Sequence, residues 1–197
     1  MSTRAYAKAI GLAALLALLL RGLVLQAFQI PSGSMLPTLQ IGDYLLINQL
    51  RYGIRLPIGG WLLLFSAPQP GDVVVFSNPR DSSQDFVKRV IAVGGETVEI
   101  RNKRVYVDGV ERDDPGPYFV HAPSDVQSLA QRDNFGPARV PPGQLFVLGD
   151  NRDQSVDSRY WGFVPVGDVQ GKAFMVYWSV DADDGWVRWE RLGALVR

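Results

Sequence analysis

Two serines stand two positions apart in the run PSGSMLPT, at Ser32 and Ser34, bracketed by Pro31 and Pro37. The prolines stiffen the backbone and Gly33 permits a close approach. A nucleophilic hydroxyl benefits from such a held, accessible position. The same composition also makes ordinary loops. A hydroxyl nucleophile needs a base. The single histidine, His121, sits in a polar stretch rich in Pro, Ser and Gln, where a solvated loop residue is the simpler reading. The other candidate is Lys88 in DFVKRVIAVGG. Strand alternation there puts Phe86, Lys88 and Val90 on one face and Val87, Arg89 and Ile91 on the other, so each face carries one basic residue. A lysine on the solvent face is unremarkable. On the core face, desolvation disfavours the ammonium and lowers its pKa, and the neutral amine can take a proton from a serine hydroxyl.

A third block, GDNRDQSVDSRYWGFVP at residues 149–165, is dense in Asp, Arg and Ser beside Tyr160 and Trp161. It reads either as a polar turn held by its own ion pairs, each worth little if exposed, or as an interior network that orients other groups.

Composition limits the alternatives. With 47% hydrophobic and 20% charged residues in 197, most of the chain should be globular. The formal net charge is zero, so there is no basic footprint of nucleic-acid binding. With no cysteine, thiol catalysis, thiolate metal sites and disulfides are excluded. One histidine cannot form an H-E-x-x-H zinc site.

The elements that must position these residues begin with an apolar segment. AIGLAALLALLL, residues 9–20, follows Arg4 and Lys8 and precedes Arg21, and no acidic residue occurs before Asp43. The segment has the basic start and apolar length of a cleaved signal peptide, but Leu25-Gln26-Ala27 is a poor cleavage site. As a helix, Thr3 to Arg21 would span roughly 28 Å, close to a hydrocarbon core of about 30 Å. The flanking charges favour a membrane anchor with its N-terminus in the cytoplasm and everything after residue 30 outside.

After residue 30 short β-branched and aromatic runs alternate with Gly, Pro and Asp. Strands are expected at Tyr44–Asn48, Val73–Ser77, Phe86–Val93, Thr97–Arg101, Arg104–Val107, Gln144–Leu148 and Ala173–Trp178. ETVEIRNKRVYVDGV reads as a hairpin turning at Asn102-Lys103, with a second turn at Asp108-Gly109. The predicted class is mainly β: an antiparallel β-sheet catalytic body with one N-terminal transmembrane helix. The predicted division is an anchor over 1–27 and an extracytoplasmic domain over 28–197, with a polar surface excursion over 111–140. The run Trp61–Phe65 is either a buried strand or a loop that dips into lipid.

The blocks PSGSMLPTLQIGD, GDVVVF, FVKRV and GDNRDQSVDSRYWGFVP, in that order after an apolar segment, resemble the type I signal peptidase family of bacteria. The resemblance covers residues 28–48, 71–95 and 144–178. It implies a membrane-bound serine endopeptidase that removes signal peptides after small-x-small sites through a Ser/Lys dyad and an acyl-enzyme. It implies Ser34 as nucleophile, Lys88 as general base and Ser32 as an oxyanion-hole hydroxyl. Ser155 would hydrogen-bond the Lys88 amine, with Asp157 and Arg159 bracing from behind. Phe28, Ile30, Met35, Leu39, Phe86 and Val87 would line shallow pockets for small side chains. It implies no metal and no cofactor. The implied partners are signal-peptide-bearing preproteins and membrane lipid, with room for the secretion translocon, and the implied location is the bacterial cytoplasmic membrane. The chain departs from the family pattern at AVGGE, where a Pro is frequent, and at Gln154, where Asn or Ser is common. The rival readings are a specialised relative that processes one partner and a catalytically silent β scaffold that binds precursors.

Overall fold

The structure is a computed structural model describing residues 25–55, 61–112 and 132–197, together with Tyr6, Lys8, Ile10 and Gly11. The described residues form thirteen strands. β1 (Leu25–Gln29), β2 (Asp43–Asn48), β5 (Val73–Asn78), β6 (Asp81–Val93), β11 (Gln144–Leu148), β12 (Val164–Pro165) and β13 (Val169–Ser179) form a seven-stranded sheet ordered β1-β2-β13-β5-β6-β11-β12, antiparallel throughout. A second sheet, ordered β10-β7-β8-β9, comprises β7 (Thr97–Arg101), β8 (Arg104–Val107), β9 (Val110–Glu111) and β10 (Phe135–Arg139). β3 (Gly53–Arg55) and β4 (Trp61–Leu64) make a separate two-stranded ribbon.

The side-chain pattern explains these positions. β2 alternates buried and half-buried residues, with Asp43, Leu45 and Ile47 inward, as a strand covered on one face must. Val73–Phe76 of β5 are buried without interruption, which suits a strand covered on both faces. In the hairpin, Asn102 and Lys103 have φ of 50° and 69°, and Asp108 and Gly109 have φ of 51° and 79°. Both two-residue turns thus take the paired left-handed conformation that matches strand twist.

Three buried clusters hold the sheets. Leu39, Leu45, Ile47, Val75 and Val176 pack beneath β1, β2 and β13. Phe76, Val90, Leu145, Val147 and Val169 form a second cluster. Ile91, Val98, Ile100, Val105, Phe146 and Leu148 join the small sheet to the large one. Each fully buried Val, Leu, Ile or Phe contributes about 1.5–3 kcal/mol before entropy is counted, so the small sheet is attached through its core and not as a loose appendage.

All seven expected strands are present, several with wider bounds, and the body is mainly antiparallel β as expected. Five strands were not expected, β1, β3, β9, β10 and β12, and β4 realises the strand alternative for Trp61–Phe65. Because β1 starts at Leu25 and pairs with β2 through Ala27↔Leu46, the sheet includes residues assigned to the anchor in the 1–27 division. The rest of that anchor lies outside the described residues except for Tyr6, Lys8, Ile10 and Gly11. Among the described residues no helix is long and apolar enough to cross a membrane. Of the excursion over 111–140, residues 113–131 with His121 lie outside the described residues, while Phe135–Arg139 pair with β7. Trp61–Leu64 form a strand, but Leu63 is 54% and the adjoining Phe65 61% exposed. The run is thus a strand, and the side chains of Leu63 and Phe65 stand out from it.

Candidate active site

The site forms where two strands keep one hydrogen-bonding edge open. Among the described residues β1 pairs only with β2. β6 is thirteen residues long, and β11 pairs with only its second half, from Arg89 to Val93. The first half, through Lys88, is bonded to β5 on one side alone. The end of β1 and the first half of β6 face each other across a cleft of about 560 Å³.

Ser34 lies at one wall of this cleft. The chain leaves β1, makes one 3₁₀ turn at Gly33–Met35 and drives Met35 into the core at 1% exposure. Met35 and Leu39 fasten the turn from below, and Asn151 fastens it from the side. The Asn151 backbone N–H donates to the Ser34 carbonyl at 3.1 Å, and its side-chain amide donates to the Gly33 carbonyl at 3.1 Å. Ser32 precedes the turn without capping it, and its hydroxyl lies 3.4 Å from Ser34 Oγ.

Lys88 comes from the opposite wall. Its Nζ is 2.6 Å from Ser34 Oγ. The side chain is 3% exposed and its Nζ lies 5.6 Å from the Phe86 ring centroid. Phe86 is held by stacking on Trp161 at 5.2 Å and 14°. Burial pushes the Lys88 ammonium down to about 8 from an ordinary 10.5, against the opposing fields of Asp157 and Asp150. Desolvation wins because water is excluded from the amine while both carboxylates are engaged by arginines. As an ammonium Lys88 donates to Ser34 Oγ; as a neutral amine it can accept the hydroxyl proton over the same distance.

The other basic residue of the pair, Arg89, is also buried, on the opposite face. Its guanidinium donates twice to Asp150, at 2.7 and 2.6 Å, and Asp150 further accepts from Thr38 Oγ1 at 2.6 Å. A paired, fully bonded charge is the form in which an arginine can sit in a core. The bond joins β6, the loop after β11 and the segment after the serine turn. Behind it, Asp157 caps the short helix Ser158–Trp161, accepts from the Gly149 N–H at 3.1 Å and binds Arg159 at 2.8 Å. The 149–165 block is therefore an interior network and not an exposed turn.

Of the residues expected to line pockets, Phe28, Ile30, Met35, Phe86 and Val87 line the cleft. Leu39 does not: it is fully buried in the core cluster below. Ser155 is buried against Gly149, but its hydroxyl makes no hydrogen bond to Lys88 or to any described group. The expected Ser155–Lys88 bond is not formed, while the expected Lys88–Ser34 contact is. Gln84, Asp85, Gln154 and Val156 also line the cleft, and Asn151, Arg89, Asp150 and Thr38 hold the site. These were not assigned from sequence. Only the charge density of the last block and the Lys-Arg pair hinted at them.

The family model described as signal peptidase, peptidase S26, matches residues 3–178. The chain belongs to the signal peptidase S26 family. It is therefore a serine peptidase, and signal-peptide removal is the activity of its kind. Signal peptidase I of Pseudomonas aeruginosa is 38% identical over 82% of this chain and 68% of its own length. A probable signal peptidase I of Synechocystis is 39% identical over 92% of this chain and 83% of its own. The solved structure of a signal peptidase I from Enterococcus faecalis V583 matches at 35% identity with a TM-score of 0.40, covering 53% of this chain and 95% of that one. In this member of the family the cleft, the Ser34–Lys88 contact and the braced loop after β11 all meet at one place.

Proposed function

We propose that the protein is a membrane-anchored endopeptidase that cuts preproteins after small-x-small sites, with Ser34 as nucleophile and Lys88 as general base. The observation that carries this reading is the 2.6 Å approach of a buried lysine amine to a serine hydroxyl at the wall of an open cleft. The cleavage segment enters extended, adding backbone hydrogen bonds to the open edges of β1 and β6. Phe28, Ile30, Met35, Phe86 and Val87 give apolar walls that reject large side chains sterically and charged ones by desolvation. Neutral Lys88 takes the Ser34 proton as Oγ attacks the scissile carbonyl. The Ser32 hydroxyl and the Ser34 N–H stabilise the oxyanion that develops. The Lys88 ammonium then gives its proton to the departing amine. The same lysine activates water to hydrolyse the ester. Anchoring rests on the apolar segment at residues 9–20 and its flanking basic residues. It would hold the cleft at the outer face of the cytoplasmic membrane, where preproteins emerge.

The test is cleavage, in detergent, of a purified preprotein carrying an Ala-x-Ala site. The intact protein is expected to release the mature chain at that site, and Ser34→Ala to release none. Equal cleavage by Ser34→Ala would remove the serine from the mechanism. No cleavage by the intact protein would point to a single specialised substrate.

A further inference from the structure

The second sheet contributes nothing to the cleft, yet its charged residues reach the loop that holds the nucleophile turn. Lys103 sits at the tip of the β7–β8 hairpin, where the left-handed turn directs its side chain back across the sheet end. Its Nζ contacts both carboxylate oxygens of Asp153, at 3.0 and 3.3 Å. Arg132, just before β10, approaches the same carboxylate at 3.3 Å and binds Asp133 at 2.7 Å. The Asp153 side chain is 1% exposed. It lies in the loop 149–155, between Asn151, which fastens the Ser34 turn, and Ser155, which packs against Gly149. The Arg132 backbone carbonyl in turn accepts from Arg159 at 2.9 Å, the guanidinium that binds Asp157.

A buried carboxylate does not remain charged without such partners. Both cations come from outside the 149–165 block, and from two strand ends of the same small sheet. Because that sheet is attached through the Ile100–Leu148 cluster, it is a rigid support, and its ion pairs transmit that rigidity to the loop. We propose that the small sheet is a positioning element for catalysis, acting through Lys103 and Arg132 on Asp153 to hold loop 149–155, and with it the Ser34 turn, at hydrogen-bonding distance from Lys88. Lys103, Arg132 and Asp153 are positioning residues, since none of them touches the cleft.

The inference rests on the Ser34–Lys88 reading, and its test separates the two. Asp153→Asn and Lys103→Met keep side-chain volume and remove the ionic contact; Lys103→Arg keeps the charge. All are assayed on a preprotein substrate beside the intact protein and Ser34→Ala, with kcat and KM determined separately and kcat/KM followed across pH. Expected are a kcat lowered about tenfold in Asp153→Asn and Lys103→Met, consistent with the cost of a small misplacement, with KM within about twofold. An apparent pKa raised above that of the intact protein is also expected, as water reaches the loosened lysine. Lys103→Arg should restore kcat. A lowered melting temperature with kcat and pH profile unchanged would make the contact structural only and overturn the inference, as would a change confined to KM. If the intact protein cleaves but Ser34→Ala cleaves equally, the dyad reading is what has failed.

Discussion

Lys88→Met is expected to lower kcat/KM by about 10²- to 10⁴-fold on the plateau above pH 8, toward the upper end because one amine serves both proton transfers. Methionine keeps the length of the stem and its packing beside Phe86 but has no nitrogen to accept the Ser34 proton. Unfolding cannot account for such a loss. Burial depresses the Lys88 pKa to about 8 from 10.5, so between those values the unfolded chain binds more protons than the folded one. Stability therefore rises with pH through that window, and at neutral pH the folded protein carries a buried ammonium at a cost. Removing the charge relieves this cost. The melting temperature of Lys88→Met at pH 7 should equal or exceed that of the intact protein. A variant that melts lower and is inactive would leave the role of the lysine as base unsupported.

Gly149→Ala should also be damaging, for a steric reason. A Cβ at residue 149 would lie 2.2 Å from Ser155 Oγ and 2.5 Å from the Ser34 carbonyl oxygen. Neither can yield cheaply: Ser155 is buried, and the Ser34 carbonyl accepts from the Asn151 N–H. The methyl must push the nucleophile turn away from β6. A displacement near 1 Å at the reacting atom costs about 10²-fold in rate, so kcat should fall by about that factor. At Gly33 an added methyl meets first the flexible Leu36 side chain, at 3.1 Å, and Gly33→Ala should cost less. Steady-state cleavage by the two variants checks this; equal losses would contradict the steric account.

These expectations show how much of the site was legible in the residues. Alternation along FVKRVIAV placed Lys88 and Arg89 on opposite faces, and that held. It could not show that both faces are buried, because burial depends on which strands lie on either side. Arg89 is tolerated there only because Asp150, 61 positions later, meets it. Such a pairing leaves no local signature. Periodicity and paired turn residues marked β7 and β8 to the residue. β1 was hidden because LQAFQ continues the apolar character of the segment before it, and its pairing with β2 is what makes it a strand. β10 was hidden because FGPAR carries Gly and Pro, which a short edge strand accepts. Leu39 was expected at a pocket wall on the family resemblance alone. The turn at Gly33–Met35 sends it inward instead.

The central claim is that a neutral, desolvated Lys88 activates Ser34. The measurement that tests it most directly is kcat/KM for an Ala-x-Ala preprotein from pH 5 to pH 10, in detergent, over a range where the protein stays folded. A group whose pKa is lowered to about 8 is mostly protonated below that value and mostly neutral above it. The account predicts a rise of about tenfold per pH unit on the acid side, bending to a plateau near pH 8. A profile that stays flat down to pH 5 would contradict it, because the proton acceptor would then be some group other than this lysine.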